Sequence, residues 1–164
     1  MLGLVSACGP SLQGSAEPGR LARVQRVVVL PFAIPDGAAR SLSDGFADEL
    51  TSDLGRARFT VVAREAADET GADAVLIGGV TTYDDQAVSP DLDTSLAISV
   101  RIVDLRTNEV VLSTSSHATA AGTFCSQEMS CLRGKVLAAI GHFIVDGAES
   151  SAPEKASALI VQPP

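Results

Sequence analysis

Apolar residues recur along this chain with two different spacings, one typical of strands and the other typical of helices. Residues 25–32 are a short β-branched run that Pro31 stops, which predicts a strand buried on both faces. In residues 39–56 the apolar side chains recur about every four residues, which predicts an amphipathic helix. Residues 58–63 return to a strand pattern. A strand, helix and strand of this length predict a right-handed crossover between two parallel strands.

The second half of the chain predicts three further strands. Residues 74–82 form an apolar run in which Gly78 and Gly79 lack side chains, which indicates a bulge or a close backbone approach. Residues 95–103 alternate between apolar and polar side chains, with Leu96, Ile98, Val100 and Ile102 on one face. Residues 110–116 follow after a tight turn that contains Asn108, a residue that tolerates positive φ. This pattern is typical of an antiparallel hairpin.

The order of these elements predicts one α/β domain at residues 24–148. We expect a mixed β-sheet of about five strands, packed by two main helices, the second from Met129 onward where apolar residues fall at helical spacing. Residues 9–21 are rich in Pro, Gly and Ser, and residues 149–164 open with Ser, Ala and Pro and end in Pro-Pro. We therefore expect a flexible tether at residues 8–23 and a disordered tail at residues 149–164.

Composition narrows the choice of partner. The chain is 46% hydrophobic and only 4% aromatic, so its core must be built from Val, Leu, Ile and Ala. Twelve Lys and Arg against twenty Asp and Glu give a net charge of −8, which repels phosphate backbones and argues against nucleic acid as a partner. No apolar run approaches the roughly 18 residues of a spanning helix, so we expect membrane contact through a lipid anchor only.

Residues 5–9, Val-Ser-Ala-Cys-Gly, are the most informative short motif. A branched aliphatic residue, two small residues and a cysteine form the pattern that a lipoprotein signal peptidase recognises. We predict that residues 1–7 are the residual end of a signal peptide and that Cys8 is lipidated. Residues 1–7 contain no Lys or Arg, although a signal peptide begins with basic residues, and a translation start upstream of Met1 would explain this. Gly9 after the cysteine favours sorting to the periplasmic face of the outer membrane. The alternative is a frayed N-terminus with a free cysteine.

Cys125 and Cys131 lie six residues apart at the start of the last predicted helix. In an exported protein they can form a disulfide that fixes how this helix leaves the sheet, provided that Cys125 precedes the helix. Two free thiols are the alternative. A metal site is less favoured, because neither His117 nor His142 lies at a zinc-like spacing from the cysteines.

Four aspartates, Asp84, Asp85, Asp91 and Asp93, crowd one loop. The spacing of the last two resembles the opening of a calcium-binding loop, but Leu96 stands where the turn glycine belongs. We interpret the aspartates as a solvated acidic loop that can serve as a partner surface for a basic protein. The sequence shows no catalytic constellation, metal motif or cofactor motif. We expect no enzyme activity and no cofactor.

Four segments in order carry a family resemblance: RVVVLPF at residues 26–32, residues 41–64, GADAVLIGGV at residues 71–80 and VRIVDLRTNEVV at residues 100–111. They resemble the bacterial envelope lipoprotein domains related to the curli secretion component CsgG, the penicillin-binding-protein activator LpoB and the TolB amino-terminal domain. The resemblance implies an anticodon-binding-domain-like α/β sandwich, a periplasmic location and work done by binding other proteins.

Together, the motif and the resemblance lead to two functional expectations. The first is a non-catalytic, lipid-anchored lipoprotein of the outer membrane that binds an envelope protein as an assembly or regulatory component. The second is an oligomeric structural subunit, a ring or a sheath, of a secretion or motility apparatus. The loop between Tyr83 and Thr94 is too short for the membrane-inserted hairpins of the curli channel, which disfavours a pore former.

Overall fold

The computed structural model describes residues 9–35, 40–56, 58–64, 71–85, 93–123, 125 and 128–150. Within them, six strands form one mixed sheet in the order β1-β6-β5-β4-β2-β3. The strands are β1 (Ser11–Ala16), β2 (Arg26–Val29), β3 (Thr60–Val62), β4 (Ala74–Asp84), β5 (Ser95–Asp104) and β6 (Glu109–Thr119). The helices are α1 (Pro18–Leu21), α2 (Arg40–Arg56), α3 (Ala120–Thr123) and α4 (Met129–Ser150). The predicted α/β domain with a mixed sheet and two main helices is confirmed.

Parallel and antiparallel pairing divide the sheet as the sequence predicts. β2 pairs in parallel with both β3 and β4, so α2 lies on the crossover between two parallel strands. β4, β5 and β6 form an antiparallel meander. Asn108, in the turn between β5 and β6, has φ of 57°, in the left-handed region that Asn tolerates better than most residues. The turn therefore forms without the glycine that would otherwise suit this position.

One hydrophobic core lies between the sheet and the two long helices. Leu96, Ile98, Val100 and Ile102 of β5 are all fully buried, which confirms the predicted alternation. They share a cluster with Phe46 of α2 and with Ile140 of α4, so both helices pack on the same face of the sheet. Burying each large side chain stabilises the fold by about 1.5–3 kcal/mol relative to leaving it exposed.

The tether predicted for residues 8–23 is wrong from Ser11 onward. β1 pairs antiparallel with β6 along its whole length, and α1 follows at once with Leu21 fully buried. An edge strand is held by backbone hydrogen bonds, so its side chains can remain exposed and polar. The lack of apolar residues in this segment therefore did not prevent ordering. Residues 1–8, including Cys8, and residues 151–164 of the predicted tail lie outside the described residues.

Gly78 confirms the close backbone approach predicted for the glycine pair. A Cβ built on Gly78 would lie 2.3 Å from Cζ of Phe32, whereas one on Gly79 would lie 3.7 Å from Cβ of Ala33. The bulge is elsewhere, between Val80 and Thr82, where the register of β4 against β5 shifts. Gly78 therefore provides the space into which the Phe32 ring packs.

Candidate functional site

The face of the sheet that points away from α2 and α4, called the outer face here, has none of the described helices packed on it. Strand alternation determines which side chains it carries. Arg101 of β5 pairs with Ile77 of β4 on one side and with Ser113 of β6 on the other. These three residues mark the middle of the outer face.

One half of the outer face is apolar. It consists of Leu30, Val75, Ile77, Val103 and Val110, called the apolar half, and it continues towards β3 into Val28 and Val62, which are only 4% and 9% exposed. Val75 pairs with Val103, which in turn pairs with Val110. Ile77 is 45% exposed, Val110 43% and Leu30 37%, although all three are large apolar side chains. Exposed apolar residues that touch across neighbouring strands are typical of an interaction surface, whereas single ones need no explanation.

The other half of the outer face is lined by hydroxyl groups. Ser15, Ser99, Ser113 and Ser115 border a shallow depression of about 530 Å³ beside Arg101. Arg101 is exposed, and the described residues provide no carboxylate that pairs with it. In a chain with net charge −8, an arginine without an ion pair is available to a carboxylate from another molecule.

The helix layer presents a second surface. A groove between α2 and α4 is lined by Asp53 and Arg56 from α2 and by Ala138, Gly141, His142 and Val145 from α4. The helices approach closely at Gly141, where a Cβ would lie 2.9 Å from Oδ2 of Asp53. The small residues Ala138 and Gly141 on α4 allow this close approach, and the Asp53 side chain of α2 fills the space beside Gly141.

Arg133 fixes the two helices to each other above this groove. Its Nε donates to Glu49 Oε2 at 2.8 Å, and its Nη2 donates to the Gly45 carbonyl oxygen at 3.1 Å. The guanidinium carbon also lies 5.2 Å from the centre of the Phe46 ring, a cation–π distance. These contacts hold α2 and α4 in a fixed position relative to each other.

Three of the four predicted acidic residues lie at one end of β4 and β5. Asp84 accepts a hydrogen bond from Ser95 Oγ at 2.8 Å, and Asp85 and Asp93 flank this pair, whereas Asp91 lies outside the described residues. Burial, and next to it the charge of Asp85, raises the pKa of Tyr83 nearby. No group of three or more metal-binding side chains occurs in the described part of the chain. A role for these aspartates in partner binding stays a prediction.

Cys125 lies between α3 and α4, and its side chain meets that of Cys131 in the first turn of α4. Their sulfur atoms are 2.09 Å apart, at bonding distance, and Cys125 precedes α4 as the spacing requires. Lys135 Nζ donates to the Thr123 carbonyl oxygen and holds the same junction. Oxidation of this pair in the cell stays a prediction.

The two histidines are on opposite layers. His117 is exposed on the outer face of β6, whereas His142 is exposed on α4 in the helix layer. They cannot share a substrate or a metal ion within one copy of the domain. Within the described residues, no helix is sufficiently long and apolar to cross a membrane.

Comparison with known proteins gives the fold but no family name. No protein-family model and no curated protein sequence matches this chain. Among solved structures, the chain is similar to PelC from Paraburkholderia phytofirmans, a dodecamer, with a TM-score of 0.64 and 16% identity over 88% of this chain and 99% of PelC. It is also similar to lipoprotein GNA1162 from Neisseria meningitidis, with a TM-score of 0.51 and 18% identity over 72% of this chain and 95% of that chain. At these identities the likeness establishes a shared fold, one that is found in a bacterial lipoprotein.

The sequence pattern missed both the outer face and the α2–α4 groove as sites. The alternation of β4 and the helical spacing of Ala138 and His142 were both visible. What was missing was the arrangement of the layers, because only the structure shows which faces are covered.

Proposed function

We propose that this chain is the folded domain of a non-catalytic bacterial envelope lipoprotein that works by binding other proteins. The observation that carries the proposal is the fold, which this chain shares over most of its length with PelC and with lipoprotein GNA1162. The finer family resemblance, to CsgG, LpoB and the TolB amino-terminal domain, points to the same kind of work.

The lipid anchor in this proposal is Cys8 at the periplasmic face of the outer membrane. β1 begins at Ser11, so only Gly9 and Pro10 separate the anchored cysteine from the sheet, and the three residue steps from Cys8 to Ser11 reach roughly 10 Å. Ser11 pairs with His117, near the end of β6, and Ser95 at the same end pairs with Thr119. The sheet edge and the acidic end of β4 and β5 would therefore lie close to the membrane.

Metabolic labelling tests the anchor. The protein would be expressed in its native host from its own locus, with any residues upstream of Met1 retained and an alkyne fatty acid supplied, beside Cys8→Ala and the matched control Cys131→Ala. We expect label on the wild type and on Cys131→Ala and none on Cys8→Ala. An unlabelled wild type, or label that survives Cys8→Ala, would refute the lipoprotein assignment.

A second candidate function is a subunit of a ring or sheath built from copies of this chain. It is favoured by the similarity to PelC, because 99% of that dodecameric chain is covered. The apolar half of the outer face provides a surface for such contacts. Sedimentation velocity of the full chain carrying Cys8→Ala tests this candidate: a discrete large species would support it, and a monomer at high micromolar concentration would contradict it.

A further inference from the structure

The free edge of β1 has backbone groups that none of the described residues uses. β1 is an outermost strand of the sheet, and Glu17 just after it donates its backbone N–H to the Val111 carbonyl oxygen at 2.9 Å. Backbone groups alternate in direction along an antiparallel strand, so the odd-numbered residues of β1 face β6. The N–H and C=O groups of Leu12, Gly14 and Ala16 therefore point away from the sheet. Such an edge can accept a further strand.

The edge also lacks the features that proteins use to block strand addition. Residues 11–16, Ser-Leu-Gln-Gly-Ser-Ala, contain no charged residue and no proline. We propose that residues 158–161 of the C-terminal tail, Ala-Leu-Ile-Val, pair antiparallel with β1 as a seventh strand. These four residues are the only run of consecutive apolar residues after Ser150, and two of them are β-branched, which favours a strand.

The position of α4 brings the tail to this edge. A Cβ built on Gly14 would lie 2.6 Å from Cζ of Phe143, and one on Gly147 would lie 3.6 Å from Cβ of Ala16. α4 therefore runs along β1 in the same direction and ends at Ser150, just past the last residue of the strand. A chain that continues from this point reaches the edge by turning back along β1. The pairing that results is antiparallel.

Length and charge both permit this path. Eight residue steps separate Ser150 from Ala158, and they reach roughly 26 Å when extended. β1 itself is only about 17 Å long. Residues 151–164 contain one Glu and one Lys, so they are not repelled by a chain of net charge −8. Because the segment is tethered to the domain, its effective concentration at the edge is on the order of millimolar.

The side chains fit best with Leu159 opposite Gly14 and Val161 opposite Leu12. Paired residues share a face of the sheet, so Leu159 and Val161 lie on the helix side. There they meet Leu12, which is 38% exposed, and Phe143, which is only partly buried. In this register the N–H and C=O groups of both β1 residues are paired. The two alternate residues of the segment lie on the outer side.

The pairing has a consequence for other molecules. An open strand edge is prone to pair with other chains. With residues 158–161 in place, a strand from another protein or from a second copy must displace them before it can add to β1. The tail therefore protects the domain from edge-to-edge association and competes with any partner that uses this edge.

Amide hydrogen exchange, followed by NMR, tests the proposal in the full chain carrying Cys8→Ala. The amides of Leu12 and Gly14 should exchange at least tenfold more slowly in this chain than in one that ends at Ser150, because only the tail supplies acceptors for them. The amides of residues 13 and 15 face β6 and should stay protected in both chains. They show that β1 is still formed.

Two proline variants identify the paired residues. Leu159→Pro removes a donor from the pairing and should abolish the slow exchange of Leu12 and Gly14. Ala156→Pro is the matched control, because it lies in the tail outside the paired run, and it should keep the slow exchange. An equal effect of both prolines would overturn the assignment to residues 158–161.

The remaining outcomes are equally decisive. Equal exchange rates of Leu12 and Gly14 in the full and the shortened chain would overturn the proposal. Each chain would be measured at two protein concentrations. Slow exchange that survives removal of the tail and increases with concentration would overturn it in favour of a second copy at the β1 edge.

Discussion

Gly78 offers the sharpest test of how this core is packed, because Gly79 next to it is a matched control. A Cβ on Gly78 would lie 2.3 Å from Cζ of Phe32, and the next two nearest atoms also belong to that ring. Ordinary contact begins near 3.4 Å, so the ring must retreat by about 1.1 Å. Phe32 is 2% exposed and its ring centre lies 6.0 Å from that of Phe46, so it has no free space behind it. Gly78→Ala should therefore be costly.

The expected cost comes from two opposing effects. Overpacking of a filled core costs about 1–3 kcal/mol. Replacing glycine by alanine in a strand returns about 0.5–1 kcal/mol, because the unfolded chain loses conformational freedom. Gly78→Ala should lower the free energy of unfolding by roughly 1–2 kcal/mol. Gly79→Ala carries only the favourable effect, because its Cβ would lie 3.7 Å from the nearest atom.

Urea denaturation, followed by circular dichroism, measures both variants. The midpoint should fall for Gly78→Ala and should stay constant or rise for Gly79→Ala. Phe32→Leu should partly restore the stability lost in Gly78→Ala, because leucine lacks the ring atoms that the new Cβ would meet. The effects of the two substitutions on the free energy of unfolding should therefore be non-additive in a double-mutant cycle. Equal midpoints for the two alanine variants, or strict additivity with Phe32→Leu, would refute the argument.

Three further predictions concern other parts of the fold. Replacing both Cys125 and Cys131 by alanine should lower the free energy of unfolding by about 2 kcal/mol because the closed loop is short, and alkylation of envelope protein followed by mass spectrometry should find no free thiol on either residue. Asp104→Ala removes the carboxylate that accepts hydrogen bonds from the Arg106 and Thr107 amides. Urea denaturation at pH 7 should therefore show a free energy of unfolding lower by about 1–2 kcal/mol. Because the Arg106 amide lowers the pKa of Asp104, this stabilisation is present above the unfolded-state pKa of about 3.9, and it is lost as the pH falls through the folded-state pKa. The difference in free energy of unfolding between the wild type and Asp104→Ala should therefore shrink as the pH is lowered. A difference that stays constant with pH would contradict this role of the Asp104 carboxylate. A chain that starts at Arg20 lacks β1 and leaves the β6 edge unpaired, so it should be less stable and should aggregate more readily than the control chain that starts at Gly9.

Strand and helix positions could be predicted where the burial pattern was strong. Residues 95–103 alternate cleanly, and β5 covers Ser95–Asp104. The helix predicted at residues 39–56 differs by one residue from α2. The last helix was predicted from its apolar positions up to Ile144, and it continues to Ser150 because Ala148 still packs in the core. Boundaries were therefore most accurate where apolar side chains extended to the end of the element.

The missed edge strand has a different physical origin. β1 is held mainly by its backbone pairing with β6, and five of its six side chains are exposed. Side-chain patterns report burial, whereas backbone hydrogen bonds depend on a partner strand that is about 100 residues away, as Ser11 and His117 are. Composition also misled, because Gly14 is typical of a linker. In this fold Gly14 has a packing role: a Cβ there would lie 2.6 Å from Cζ of Phe143.

The same distinction explains why the interaction surfaces could not be derived from the sequence. Alternation in β4 places Ile77 on the face opposite to Leu76, but it does not show which face the helices cover. Both faces contain apolar residues, so hydrophobicity alone leaves the choice open. Once α2 and α4 are known to lie over Leu76, the exposure of Ile77 becomes informative, because burying that side chain is favourable by about 1.5–3 kcal/mol. The exposure of this side chain is therefore a property of the assembled layers, which the alternation within one strand does not report.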